Sequence, residues 1–321
     1  MKQGHIAGKG YIVRTAPYVV VVGGVNLDIG GRPHGELVAA DSNPGQVRMS
    51  LGGVGRNIAH NMALMGLDVR MLTAFGDDMN AQRIAASCGE LGIDISRCRH
   101  FEGENGFAMV TLKGNDRVFL GSNKGGVAKE HSFDFTQEDL EYIKGFNLIY
   151  TNLNSYIEEE LPFLHTAGVP IAYDFSTRWT DAYLEKVCPY VTVAILSCAH
   201  LNAEDRAREM QKAADHGVSI VLGTIGEDGS YVLYNGKTYY ASAVHADDVI
   251  DTMGAGDSYF AAFLCSLLKS SKSGALLEGT EEENAAHLQK AMQIGAAFAA
   301  KMCAKEGAFG YGTPIVGRTE L

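Results

Sequence analysis

Runs of β-branched and aliphatic residues alternate with segments of helical periodicity along most of this chain. Tyr18-Val19-Val20-Val21-Val22-Gly23 is strand-length and has no polar face, which predicts a strand buried on both sides. Helical patterns over Gly55–Met65 and Ala81–Leu91 flank a second strand over Val69–Phe75. Strands are predicted again over 147–151, 171–174, 191–196, 219–224 and 230–234, with helices over 158–166 and 203–216. Two long helices close the pattern, from Ala255 to about Leu268 and from about Glu283 to Ala304. Alternating units of this kind require parallel strands joined by crossovers, with helices on both faces. The expected fold class is therefore α/β, a three-layer α/β/α sandwich around a mostly parallel central sheet.

Two regions break the alternation. Arg32 to Met49 is polar and turn-rich, and ends in a short strand over Val47–Met49. Phe107–Leu112 and Arg117–Leu120 flank Lys113-Gly114-Asn115-Asp116, a hairpin signature. Both read as a small antiparallel β lid, with segments at about 30–50 and 105–122. Such a lid would cover the sheet end where open α/β folds bind ligands. The organisation expected is a leader over 1–16 and a single domain over 17–316.

Composition narrows the partners. The chain has 321 residues and a net charge of −11, which argues against nucleic acid or an anionic membrane as a general partner. No secretory signal and no apolar run of membrane-spanning length occur. The six cysteines form no C-x-x-C pair and read as buried thiols of a reducing compartment, which suggests a cytoplasmic protein.

The chemistry concentrates at Asp251-Thr252-Met253-Gly254-Ala255-Gly256-Asp257, directly before an apolar, alanine-rich helix. A glycine turn at a helix N-terminus exposes N–H donors where the helix dipole favours an anion. A carboxylate at that spot, Asp257, suits a proton acceptor beside a phosphoryl group in transfer. The plainer alternative is a helix cap with an acidic first turn. Leu51-Gly52-Gly53-Val54-Gly55-Arg56-Asn57 is a second glycine-rich helix opening, either a ligand approach or an ordinary tight turn. Asn26 and Asp28 share one face after the first strand and suit sugar hydroxyls, or else cap the turn into the lid. Thr224-Ile225-Gly226-Glu227-Asp228-Gly229 either admits nucleotide phosphates or is a plain strand connection.

Together and in this order, these motifs resemble the ribokinase-like, or PfkB, family of carbohydrate and nucleoside kinases, over about Pro17 to Gly312. The resemblance implies a ribokinase-like body with a β lid, ATP as phosphoryl donor and Mg²⁺. It implies Asp257 as catalytic base, and the N–H groups of Gly254, Ala255 and Gly256 as the anion hole. Asn26, Asp28, Gly52, Gly53 and Asn57 match the sugar-contact positions. Thr224, Gly226, Gly229 and the segment around Gly307 match the nucleotide side. Asp251 matches a position that helps some members bind a monovalent cation such as K⁺. Lids in this family often pair, which makes a homodimer through the lid the expected assembly.

One departure stands out. Family members commonly carry N-x-x-E after the strand ending near Leu196; here the positions read Ser197-Cys198-Ala199-His200. Asn202, Glu204 and Asp205 either compensate or form a plain acidic cap, and no metal ligand is assigned. A catalytically weak, ligand-binding member of the fold is the alternative this departure raises.

The acceptor resemblance is divided. Ala40 through Ala59 looks closest to pseudouridine kinases. The stretches 115–119, 174–179 and 249–257 look closer to fructosamine kinases of the fructoselysine 6-kinase type. Arg117, in the lid hairpin, is a substrate-binding candidate on that account. The balance leans slightly to a ribosyl acceptor such as pseudouridine, with a glycated amine sugar as the alternative. Lys2 to Val13 resembles the wing of a winged helix-turn-helix without its recognition helix, or is a disordered leader. No DNA binding is expected from it.

Overall fold

The computed structural model describes residues 17–113, 116–131, 133–246 and 249–305, with the short strands Ile6–Ala7, Tyr11–Ile12 and Gly312–Pro314. Ile6–Ala7 and Tyr11–Ile12 pair as a small antiparallel ribbon.

The chain enters the body through β1 (Tyr18–Val22) and leaves it at once for the lid through β2 (Asn26–Pro33) and β3 (Gly45–Gly52). It returns through α1 (Val54–Leu64), β4 (Asp68–Leu72) and α2 (Met79–Glu90). The lid is revisited by β5 (Gly106–Lys113) and β6 (Asp116–Ser122). The remaining body strands are β7 (Leu148–Asn152), β8 (Ile171–Asp174), β9 (Val193–Ser197), β10 (Ile220–Thr224), β11 (Ser230–Tyr234) and β12 (Lys237–Ala241). Between β9 and β10 runs α3 (Ala203–Asp215). The long helices α4 (Ala255–Ser270) and α5 (Glu281–Cys303) follow, then β13 (Gly312–Pro314).

The body sheet has the order β12-β11-β10-β9-β8-β7-β1-β4. It is parallel from β10 to β4, and its last two strands are antiparallel. Alternate residues of β1 serve opposite cores. Val19 and Val21 face α1, α2, α4 and α5, whereas Val20 and Val22 face the helices of the other layer. Helix α4 is buried around nearly its whole circumference from Ser258 to Cys265, which explains its apolar, alanine-rich composition. The three-layer α/β body matches the expectation from sequence.

The lid departs from it. Its order is β6-β5-β2-β3-β13, and β2 pairs with β5 in parallel, so the sheet is mixed rather than antiparallel. The reason lies in the route: β5 is reached only after α1, β4 and α2, so it re-enters the lid running the same way as β2. Pairing of β3 with β13 and of β5 with β6 is antiparallel.

Among the described residues, no helix is long and apolar enough to cross a membrane, and no cysteine is in a disulfide.

Candidate active site

Strand alternation places a row of polar residues at one end of the body sheet. Tyr150, Ala172, Ile195 and Leu222 all belong to the core on the α4 side. Two residues further along each strand come Asn152, Asp174, Ser197 and Thr224, the last residues of β7, β8, β9 and β10. With a period of two, they share that face. Helix α4 begins over the same face, and its first turn carries Asp257.

The α4 N-terminus is built as the sequence suggests. Gly254 is the N-cap, with φ 69° and ψ 12°. That left-handed conformation costs glycine nothing and turns the chain so that the next N–H groups start a helix. No side chain caps these donors, which leaves them available to a ligand. Upstream, Asp251 Oδ1 accepts from Met253 N (2.9 Å), and Asp251 N donates to Cys303 O (3.1 Å), fixing the approach to the turn.

Asp257 meets the second glycine motif directly. Asn57 Nδ2 donates to Asp257 Oδ2 at 2.7 Å. One turn further along α1, Asn61 Nδ2 donates to Oγ of Ser258, the residue after Asp257, at 3.1 Å. The Asp257 side chain keeps an opening toward the cleft but lies deep among protein atoms. That burial raises its pKa to about 6, and the Asn57 hydrogen bond opposes the rise. A carboxylate titrating there is a competent proton acceptor near neutral pH.

Helix α1 can sit this low because glycines let two backbones cross. A Cβ on Gly55 would come within 2.8 Å of Gly23 Cα. The start of β2 crosses the turn before α1 just as closely: a Cβ on Gly53 would lie 2.7 Å from Gly24 O and 2.8 Å from Asn26 N. The Asp28 carboxylate packs on the bare face of Gly52, and the Asn26 amide on that of Gly106. The buried Asn26 Oδ1 and Asn57 Oδ1 have no protein hydrogen-bond partner, as expected of groups facing a ligand.

Other candidates fare differently. Gly226 has a bare, open face, where a Cβ would meet only Ala199 Cβ at 4.0 Å. Gly229 is needed for packing, because a Cβ there would strike the carbonyl of Ala241. The strand position of Arg117 pairs with Leu112, but its side chain lies outside what is described, as does Gly307. Asn202 caps α3: its Oδ1 accepts from Asp205 N (2.8 Å) and its Nδ2 donates to Asp205 Oδ2 (2.7 Å). Asp205 also pairs with Arg208, and Glu204 is exposed. The segment after β9 is therefore a capped helix start.

Asp174 opens the stretch 174–179, where the sequence assigns it no site role, yet it lies in the same row. It is only 4% exposed, with Ser176 N donating to Oδ1 (2.7 Å) and Tyr150 Oη approaching Oδ2 at 3.4 Å. Burial raises its pKa to about 7, and the Asp257 charge adds to the rise. Among the described residues no group of three or more acidic, histidine or cysteine side chains forms a metal cage. Mg²⁺ in phosphoryl transfer needs only one or two carboxylates plus phosphate oxygens, and a buried carboxylate with no cation beside it among the described residues fits that demand. The linkage has a definite sign. The folded pKa lies above the ordinary 3.8, so Asp174 destabilises the metal-free fold increasingly as pH rises from about 4 to about 7. Asp174→Asn is expected to raise the thermal midpoint of the metal-free protein at pH 8 and to change it much less at pH 4. A lower midpoint at pH 8 would contradict this.

A buried carboxylate against an uncapped glycine turn, between an α/β body and a β lid, is an arrangement suited to phosphoryl transfer to an alcohol. The model for "pfkB family carbohydrate kinase" matches residues 16–313. The chain is 34% identical over 265 residues to the fructosamine kinase FrlD of Bacillus subtilis (strain 168), covering 82% of this chain and 87% of that one. It is 28% identical over 262 residues to the pseudouridine kinase of Escherichia coli (strain K12), covering 78% and 83%. The structure of Arabidopsis thaliana ribokinase complexed with ribose and ATP superposes with a TM-score of 0.75 at 21% identity, over 94% of this chain and 96% of that one. The chain belongs to the pfkB family of carbohydrate kinases.

Proposed function

We propose that the protein transfers the γ-phosphoryl group of ATP to a primary hydroxyl of a small sugar or nucleoside. The observation that carries this reading is the 2.7 Å contact between Asn57 and Asp257, which joins the acceptor-side glycine motif to the anion turn. Asn26, Asp28 and Asn57 hold acceptor hydroxyls, and Asp257 takes the proton of the attacking one. A new acceptor oxygen–phosphorus bond forms as the bond to the ADP oxygen breaks. The N–H groups of Gly254, Ala255 and Gly256 stabilise the charge in flight. Thr224 and Gly226 border the nucleotide side, with Gly229 shaping that loop. Asp174 is the residue we assign to Mg²⁺, which when bound neutralises phosphate charge, and the Asp251 loop is the place for a monovalent cation. Lid closure excludes water and limits futile ATP hydrolysis. Pairing of two lids and a cytoplasmic location belong to the same proposal.

Fructosamines and pseudouridine are the leading acceptors, since kinases named for each are similar over most of their length. The test is ADP release with MgATP and K⁺ across pseudouridine, ribose, other nucleosides and fructosamines. Turnover of at least one is expected. Acceptor binding without ADP formation on any of them would favour a ligand-binding protein that has lost catalysis.

A further inference from the structure

We propose that Arg178, held by Asn154 beside the loops that Tyr156 and Lys124 tie together, forms a subsite for a carboxylate carried by the acceptor, so that the acceptor is an acidic ketosamine rather than a neutral nucleoside. The proposal rests on the kinase reading above and adds the acceptor class.

The rim is continuous with the sugar site. A Cβ on Gly106, against which Asn26 packs, would lie 3.0 Å from Gly125 Cα. A Cβ on Gly125 would in turn lie 3.7 Å from the Tyr156 ring. Tyr156 Oη donates to Lys124 O at 2.9 Å, which ties the loop after β7 to the loop after β6. On the neighbouring side, a Cβ on Gly24 would lie 3.8 Å from Asn154 O. Arg178, from the loop after β8, donates through Nη2 to Asn154 Oδ1 at 2.7 Å. Asn154 N donates to Asn152 Oδ1 (3.0 Å), which links the rim to the polar row.

Backbone strain marks the same place. Lys124, Tyr156 and Ser176 have φ of 56°, 55° and 55°, a left-handed conformation unfavourable for residues with a Cβ. They lie in three loops that meet at the cleft. Such conformations persist where the surroundings over-determine them, and they gather at ligand clamps.

Charge gives the ligand its sign. Arg178 is exposed and has no carboxylate partner among the described residues, although the chain carries a net charge of −11. The nearby Glu158 is engaged by the hydroxyls of Tyr173 and Tyr183. A guanidinium with spare N–H groups at a cleft mouth suits a planar carboxylate, which it can bind through two parallel hydrogen bonds. In the kinase reading, the donor phosphates occupy the other end of the strand row, toward Thr224, so Arg178 is not needed for them. A neutral nucleoside would offer this cation nothing, whereas a sugar joined to an amino acid would offer its carboxylate.

The test compares fructosyl-glycine, its decarboxylated counterpart fructosyl-methylamine, and pseudouridine, using wild type and Arg178→Gln. The readout is the ratio of kcat/KM for the acid over the amine. Wild type is expected to prefer the acid by about tenfold to a hundredfold, the range for a charge-assisted hydrogen bond. Arg178→Gln should erase that preference, chiefly through KM, at an unchanged thermal midpoint. Equal rates on acid and amine, a preference that survives Arg178→Gln, or turnover of pseudouridine but neither ketosamine would each overturn the subsite. Should no acceptor release ADP, the kinase reading fails instead, and calorimetry then decides the subsite. Tighter binding of the acid, lost in Arg178→Gln, upholds it, and equal binding removes it.

Discussion

Asp257→Asn is expected to lower kcat about 10²–10⁴-fold, the usual contribution of a positioned base. Acceptor and nucleotide affinity should stay near wild type, because the amide keeps the shape of the carboxylate and can still accept from Asn57 through its oxygen. The pH profile gives an independent reading of the same residue. With its pKa raised to about 6, Asp257 is a base only above that value, so kcat/KM should rise with pH to about 6 and then level off. Asn57→Ala removes the hydrogen bond that favours the ionised form, so the ascending limb should move to higher pH. Retention of near-wild-type turnover by Asp257→Asn would remove it from the base role.

Gly254→Val should be nearly as damaging, by a different route. The N-cap conformation at φ 69° is unfavourable for any residue with a Cβ and worst for a β-branched one. Relief of that strain rotates the first N–H groups of α4 away from the position where phosphoryl charge develops. Loss of a preorganised donor costs about 10²–10³-fold in kcat, and that is the expected drop here. The fold should survive, because the packed face of α4 begins only at Ser258. Single-turnover kinetics would separate the slowed chemical step from binding. A loss confined to KM would show that the turn serves affinity rather than the transition state.

How much of this can be read from the sequence depends on whether the deciding contact is local. The apolar run of β1 and the glycine turn before α4 carry their meaning within a few residues, and both are legible. Asn57 and Asp257 are each legible as site candidates, though only through motif order, and the hydrogen bond that joins them is not. Nor is Asp174. It ends the apolar run Ile171-Ala172-Tyr173, and a carboxylate at the close of a parallel strand is the available signal. Its parity with Ala172 shows that the two share a face, but not that α4 covers that face. Strand β2 escapes a sequence reading over most of its length because Gly30, Gly31 and Pro33 suit turns as well as strands. The fate of Asn202 is undecidable locally, since an N-cap and a metal helper look alike until the helix is seen to use the side chain.

The lid has a consequence for how the molecule comes into being. Its five strands come from three distant parts of the chain: Asn26 finds its partner at Gly106, and Ser50 finds its partner at Gly312. During synthesis β3 must therefore wait, with one edge unsatisfied, until Gly312–Pro314 has emerged. Closing such long loops is slow, so the body forms first and the lid completes last. Catalytic competence thus arrives as a late event in maturation. A chaperone that shields the β3 edge would protect the nascent enzyme at its most vulnerable stage.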